Sequence, residues 1–273
     1  MKKRTMVTGN LELFYFDNEK EGPVLLLIHG NSLNSELFYR QFEDKDLEKY
    51  RIIAPDLPGH GRSERSKNPE KDYSVSNYIH VLRDLVVKLG IDELAIFGHS
   101  LGGHIAIHVA DELKTVKILA LGILGTPPLT LPPKVEEAFL PEPAMEFSFK
   151  AELSDAEANQ LAKAFIDKDH NDFHLLKKSI LSCDPLVRPF IGKSIATDLN
   201  TDESEVLRNA EFPVAIFHGE NDPLVNKDYI YKMEYPLWRD QVHLIENAGH
   251  SAFLENQNRF NLLLNDFLKE YIE

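Results

Sequence analysis

The chain has 273 residues, 43% of them hydrophobic, and 44 acidic against 30 basic side chains give it a formal charge of −14 at neutral pH. That length and apolar content suffice to bury one large core, and the acidic balance argues against nucleic acid or an anionic lipid surface as a partner, because phosphates would be repelled. The single cysteine, Cys183, excludes an intramolecular disulfide, and no apolar run is long enough to span a bilayer. The N-terminal Lys2-Lys3-Arg4 is followed by no apolar stretch before Thr8-Gly9-Asn10 interrupts. A signal peptide is therefore not expected, and a cytoplasmic protein is.

In chain order, Gly9-Asn10 marks the turn of a hairpin with strands at 4–8 and 11–16. Pro23-Val24-Leu25-Leu26-Leu27-Ile28 reads as a buried strand running into the glycine turn His29-Gly30-Asn31-Ser32. Ser74 is placed to cap a helix that runs to Leu89 and ends at Gly90, since Val75, Ile79, Leu82, Val86 and Leu89 recur at helical spacing. Next comes the apolar run Leu94-Ala95-Ile96-Phe97, then Gly98-His99-Ser100-Leu101-Gly102, then a helical pattern from Gly103. Strand, sharp turn and helix in that order form a nucleophile elbow, in which the two glycines let backbone segments approach closely and the turn lifts the Ser100 hydroxyl clear of the sheet.

Strands at 118–124 and 213–217 should be sheet neighbours, yet residues 129–211 between them are far longer than a simple crossover needs. This stretch opens on Pro127, Pro128, Pro132 and Pro133 and carries helical patterns at 154–166, 172–181 and 201–210, so a helical lid inserted into the main domain is expected. The division is 1–128 with 212–273 as the core domain and 129–211 as the lid. A last helix from about Asn258 turns Phe260, Leu263, Leu264, Phe267 and Leu268 inward. Alternating helices and strands make the fold class α/β, a mostly parallel sheet covered on both faces.

A serine hydroxyl is unreactive at neutral pH without a base to take its proton and a carboxylate to orient that base. Both candidates lie downstream, each in a loop after a strand-like run: Asp222 in Gly219-Glu220-Asn221-Asp222-Pro223 and His250 in Asn247-Ala248-Gly249-His250. Acyl transfer also needs two N–H groups aimed at the oxygen that becomes an anion. Leu101, the residue after the nucleophile, and Asn31 are the expected donors, and the Asn31 side chain is a second candidate for contact with substrate. In the lid, Phe139, Met145, Phe147 and Leu153 are candidates to contact an acyl chain. The pairs His104/His108 and His170/His174 have metal-compatible spacing, but neither carries the glutamate of a zinc-protease motif and no cysteine cluster exists, so no metal is expected. His29 and His99 are read as holding loops through hydrogen bonds, and no cofactor is implied.

These motifs together resemble the α/β-hydrolase superfamily over nearly the whole chain. Arg51-Ile52-Ile53-Ala54-Pro55-Asp56-Leu57-Pro58-Gly59-His60-Gly61-Arg62-Ser63 is similar to the superfamily's strand and loop ahead of the elbow, with Asp56 and Arg62 expected to pin loops. The His29-Gly30-Asn31-Ser32 loop, the Gly98–His104 elbow, Gly125-Thr126-Pro127-Pro128, Leu237-Trp238 and Asn247-Ala248-Gly249-His250 resemble the α/β-hydrolase type of N-acyl-homoserine lactonase. That branch can carry a glutamate as the acid, where Asp222 stands here. The resemblance implies a serine hydrolase that opens a small-molecule ester or lactone through an acyl-enzyme and, in the lactonase branch, quorum quenching. A general carboxylesterase, a carbon–carbon bond hydrolase, a perhydrolase and a ligand-sensing receptor of the same fold stay open, whereas dehalogenases and epoxide hydrolases need a carboxylate where Ser100 stands.

Overall fold

A computed structural model describes residues 1–197 and 200–272. Eight strands form one sheet: β1 (Lys2–Thr8), β2 (Leu11–Asp17), β3 (Val24–Ile28), β4 (Arg51–Pro55), β5 (Glu93–His99), β6 (Lys117–Leu124), β7 (Val214–Gly219) and β8 (His243–Ile245), in the order β1-β2-β4-β3-β5-β6-β7-β8. The β1–β2 hairpin turns at Gly9-Asn10 and joins β4 antiparallel; from β4 to β8 every pairing is parallel. Strands β3, β5 and β7 are apolar almost throughout and buried along their lengths, as strands covered on both faces must be.

Helix α1 (Val75–Lys88) begins where the Ser74 side chain accepts the Asn77 N–H, and Gly90 at φ +64° follows its end. Helix α2 (Leu101–Glu112) follows the elbow directly. Between β6 and β7 lie α3 (Asp155–Phe165), α4 (Phe173–Ser182), α5 (Val187–Thr197) and α6 (Glu203–Arg208), preceded by a 3₁₀ segment at Pro143–Phe149. Helix α3 carries a complete capping box between Ser154 and Glu157. Helix α5 has no counterpart in the sequence reading, because Pro189 and Gly192 mask its helical period.

The last helix, α7 (Gln257–Ile272), packs its aromatic face under the sheet. Phe260 meets the rings of Phe97 and Phe217 at 5.1 and 5.9 Å, and Phe267 meets Trp238 at 5.2 Å. Burying each such ring stabilises by about 1.5–3 kcal/mol. The strands that carry Ser100 and Asp222 at their ends therefore rest on one shared aromatic layer. Among the described residues, no helix is long and apolar enough to cross a membrane.

Candidate active site

Four sheet-end loops meet where the chain, having stepped out from β3 to β4, returns across the sheet to β5, the crevice in which parallel sheets present their loops. The elbow is the most constrained of them. Ser100 sits at φ 53°, ψ −122°, a strained conformation for a side-chain-bearing residue, costing of order 1–3 kcal/mol. The surroundings enforce it: the Ser100 N–H donates to the Leu124 carbonyl at 2.9 Å, and the Gly103 N–H and the Thr126 hydroxyl donate to the Ser100 carbonyl at 2.8 and 2.9 Å. A Cβ on Gly98 would lie 2.2 Å from the Gly102 carbonyl oxygen, and one on Gly102 would lie 2.3 Å from that of Ile28. Only glycine lets three backbone segments cross this closely.

His250, after β8, and Asp222, after β7, are bonded to each other: His250 Nδ1 stands 2.8 Å from Asp222 Oδ2 with both residues buried. The other carboxylate oxygen accepts the N–H groups of Leu224 and Val225, which fixes the Asp222 loop. Burial raises the Asp222 carboxyl, but attraction to the His250 ring, their hydrogen bond and His218 outweigh it, and the carboxyl lies below its ordinary value. A carboxylate can only accept, so the imidazole proton sits on Nδ1 and Nε2 is left as a base. Nε2 is buried and has no hydrogen-bond partner among the described residues, so Ser100 and His250 line the same cavity without a bond between them. Glu220, the other acid in the loop, is exposed and, among the described residues, accepts only the Asn247 N–H.

The His250 loop is tied to the insertion: Ser251 N–H donates to the Phe165 carbonyl at 3.0 Å, and the Glu255 carboxylate accepts the N–H groups of both Gly249 and Asp167. From below, His99 donates Nε2–H to the His250 carbonyl at 3.0 Å. Burial, and then the nearby His250, push His99 down to about 3, so it is a neutral ring that holds the loop. His29 plays the same part on the other side, accepting the Leu57 N–H at Nε2 and bonding the Gly30 carbonyl at Nδ1. Asp56 accepts the N–H groups of Ser35 and Arg62.

The backbone amides of Asn31 and Leu101, at the ends of two neighbouring loops, donate no hydrogen bond among the described residues. Leu101 is the first residue of α2, where an N–H has no partner within the helix and the helix dipole favours negative charge. The Asn31 side chain is occupied: Nδ2 donates to the Ser148 carbonyl of the insertion at 2.9 Å, and Oδ1 accepts the Ser32 hydroxyl.

A cavity of about 160 Å³ joins these groups, with Ser100, Leu101, Asn31 and His250 on its floor and Phe139, Met145, Phe149, Phe165, Ile195 and Leu224 among its walls. Of the four lid residues singled out in the sequence, Phe139 and Met145 line it. Phe147 and Leu153 do not: Phe147 is buried in the core, and Leu153 packs against that core from outside. Phe139 is placed by its backbone, which pairs antiparallel with Val225 just past Asp222. Phe149, Phe165 and Ile195 line the cavity as well, and Phe165, 5.5 Å from the His250 ring, lies at the end of the first helical pattern of the stretch, 154–166. A larger surface depression of about 1040 Å³, lined by Asp111, Lys114, Lys117, Glu205 and Glu211, contains none of these groups. His170 bonds the Asp172 N–H and His174 is exposed on the insertion. Among the described residues, no set of three His, Cys, Asp or Glu side chains is arranged to hold a metal ion.

Residues 23–257 match the family described as the alpha/beta hydrolase fold. Crystal structures of the N-acyl homoserine lactonase AidH superpose over 99% of this chain and 97–98% of theirs, at a TM-score of 0.92 and 28–29% identity. The pimeloyl-[acyl-carrier protein] methyl ester esterase of Nitrosospira multiformis is 24% identical over 268 residues, 90% of this chain and 94% of that protein. A Mycobacterium bovis protein is 43% identical over 91 residues, which are 33% of this chain, and the match spans about a quarter (26%) of that protein's length. The sheet order, the elbow and the family match agree, and the chain belongs to the α/β-hydrolase family.

Proposed function

We propose that the protein is a serine hydrolase that cleaves a carboxylic ester or lactone by two-step acyl transfer. The observation that carries this reading is the 2.8 Å His250–Asp222 bond beside a strained serine in one cavity, which leaves a basic Nε2 available to Ser100. Ser100 Oγ attacks the carbonyl carbon as His250 Nε2 takes its proton; Asp222 holds the ring and offsets its charge. The amides of Asn31 and Leu101 receive the oxyanion, the protonated His250 returns its proton to the leaving alcohol, and a water deprotonated by the same nitrogen releases the acid. With a lactone, acid and alcohol leave as one opened molecule.

Residues 129–211 act in this reading as a lid that shields the acyl-enzyme and shapes an apolar acyl site with Phe139 and Met145. The apolar character of most of the cavity wall suits an acyl chain. The likeness to AidH, solved with N-hexanoyl homoserine lactone in one structure, supports an N-acyl-homoserine lactone as substrate. A panel of short p-nitrophenyl esters, N-acyl-homoserine lactones and vinylogous diketones, assayed with purified protein, tests the assignment. Turnover of lactones above esters is expected; turnover of diketones alone would overturn it.

A further inference from the structure

Ser100 stands in the turn before α2 and His104 in the first turn of that helix. Both line the cavity. His104 Nδ1 lies 2.8 and 3.0 Å from the two oxygens of Glu203, which α6 brings in from the insertion. The Glu203 side chain is wholly buried and also meets the Leu129 N–H at 2.8 Å and His108 Nε2 at 3.2 Å. Burial by itself would raise this carboxyl, yet His104 and His108 hold it at about 2.

An ionised carboxylate accepts only, so a ring with one proton carries it on Nδ1, and Nε2 keeps a lone pair. Nε2 has no partner among the described residues and is not enclosed, on a ring that forms part of the cavity wall. The arrangement repeats that of His250 and Asp222, with the same ring nitrogen at the same 2.8 Å from a buried carboxylate. The other buried histidines nearby differ: His99 turns Nε2 to a backbone carbonyl, and His108 bonds Glu203 and does not line the cavity. Beyond the floor, the wall is mainly apolar with Ser148 as another polar residue, and an oriented acceptor on it helps decide which polar substrates fit.

We propose that His104, oriented by Glu203, is a specificity-determining residue whose Nε2 accepts a hydrogen bond from a substrate hydroxyl three or four bonds from the reacting carbonyl. This rests on the ester-hydrolase reading above. A site built around a hydrogen bond to a hydroxyl discriminates against the analogue that lacks it, because its own polar atom is then left unpaired.

Two matched ester pairs test it by pH-stat kinetics on the full chain: ethyl 3-hydroxybutyrate against ethyl butyrate, and 2-hydroxyethyl butyrate against propyl butyrate. Wild type should favour the hydroxylated member of at least one pair, and that pair assigns the side of the carbonyl. His104→Ala should lower kcat/KM for that member about tenfold while its partner changes less than about twofold. His108→Gln should move both members alike. Should His104→Ala not fold, His104→Leu/Glu203→Leu removes both partners together, leaves no unpaired carboxylate and should erase the same preference. No preference in wild type, or an equal loss on both members in the His104 variants, overturns the proposal and leaves the hydrolase reading standing. If wild type turns over none of the four esters the proposal falls, and the hydrolase reading falls with it only if the lactones are left intact as well.

Discussion

The sheet end that carries Ser100, Asp222 and His250 and the helical segment above it are held by different forces. At the sheet end, backbone crosses backbone: Ser100 is strained, its N–H and carbonyl are both bonded, and no atom can be added at Gly98 or Gly102. The insertion rests instead on apolar packing with a few polar pins, among them Asn31 on the Ser148 carbonyl and Asp172 on Arg40 and Tyr39. The first arrangement sets a geometry with almost no freedom; the second sets a volume that many sequences could enclose. Damage to the first should therefore abolish chemistry, and damage to the second should change affinity or stability by degrees.

Ser100→Ala tests the sheet end most severely. It should lower ester or lactone turnover about a million-fold with an unchanged melting curve, read by steady-state kinetics beside thermal denaturation. Asp222→Asn keeps the shape but lets His250 adopt the other tautomer, and a loss of about ten-thousand-fold in kcat is expected. If Glu220→Gln were the more damaging of the two, the acid would be misassigned. On the insertion, Phe139→Ala should raise KM for short esters several-fold, whereas Phe147→Ala should cost about 3–5 kcal/mol in urea unfolding with KM little changed. Equal effects of the two on KM would erase the distinction between wall and core.

The smallest expected effect is a pH slope. Glu203 links the insertion to α2 and is held at about 2 against an ordinary 4.5. The unfolded chain therefore binds the extra proton between those values, so this contribution is full above about pH 4.5 and is lost as pH falls toward 2. Unfolding free energies measured over that window should fall less steeply with acid in Glu203→Gln than in wild type. A parallel slope in the two proteins would mean that Glu203 is not held as the structure indicates.

The likeness between sequence pattern and structure was uneven in the same way as the forces. The elbow, the Ser74 cap, the Gly9-Asn10 hairpin and the apolar face of the last helix are local: each follows from glycine conformation, a side-chain cap or a period of two or 3.6 along a few residues. In the insertion, amphipathic spacing located α3 and α4 but did not say against what they pack. Phe147 and Leu153 look as apt for a pocket as Phe139 and Met145, and only the pairing of Phe139 with Val225 and the seating of the 3₁₀ segment separate them.

From the residues in order, then, came the nucleophile turn, the α/β alternation and two downstream loops able to supply an acid and a base, because those depend on neighbours along the chain. Tertiary structure alone brought Asp222 to His250 while leaving Glu220 exposed, set Phe165 and Ile195 into the cavity wall, and joined His104 to Glu203 across ninety-nine positions. Contacts between distant segments depend on strand order and helix docking, which are fixed by how whole surfaces fit and leave no periodic trace in the chain.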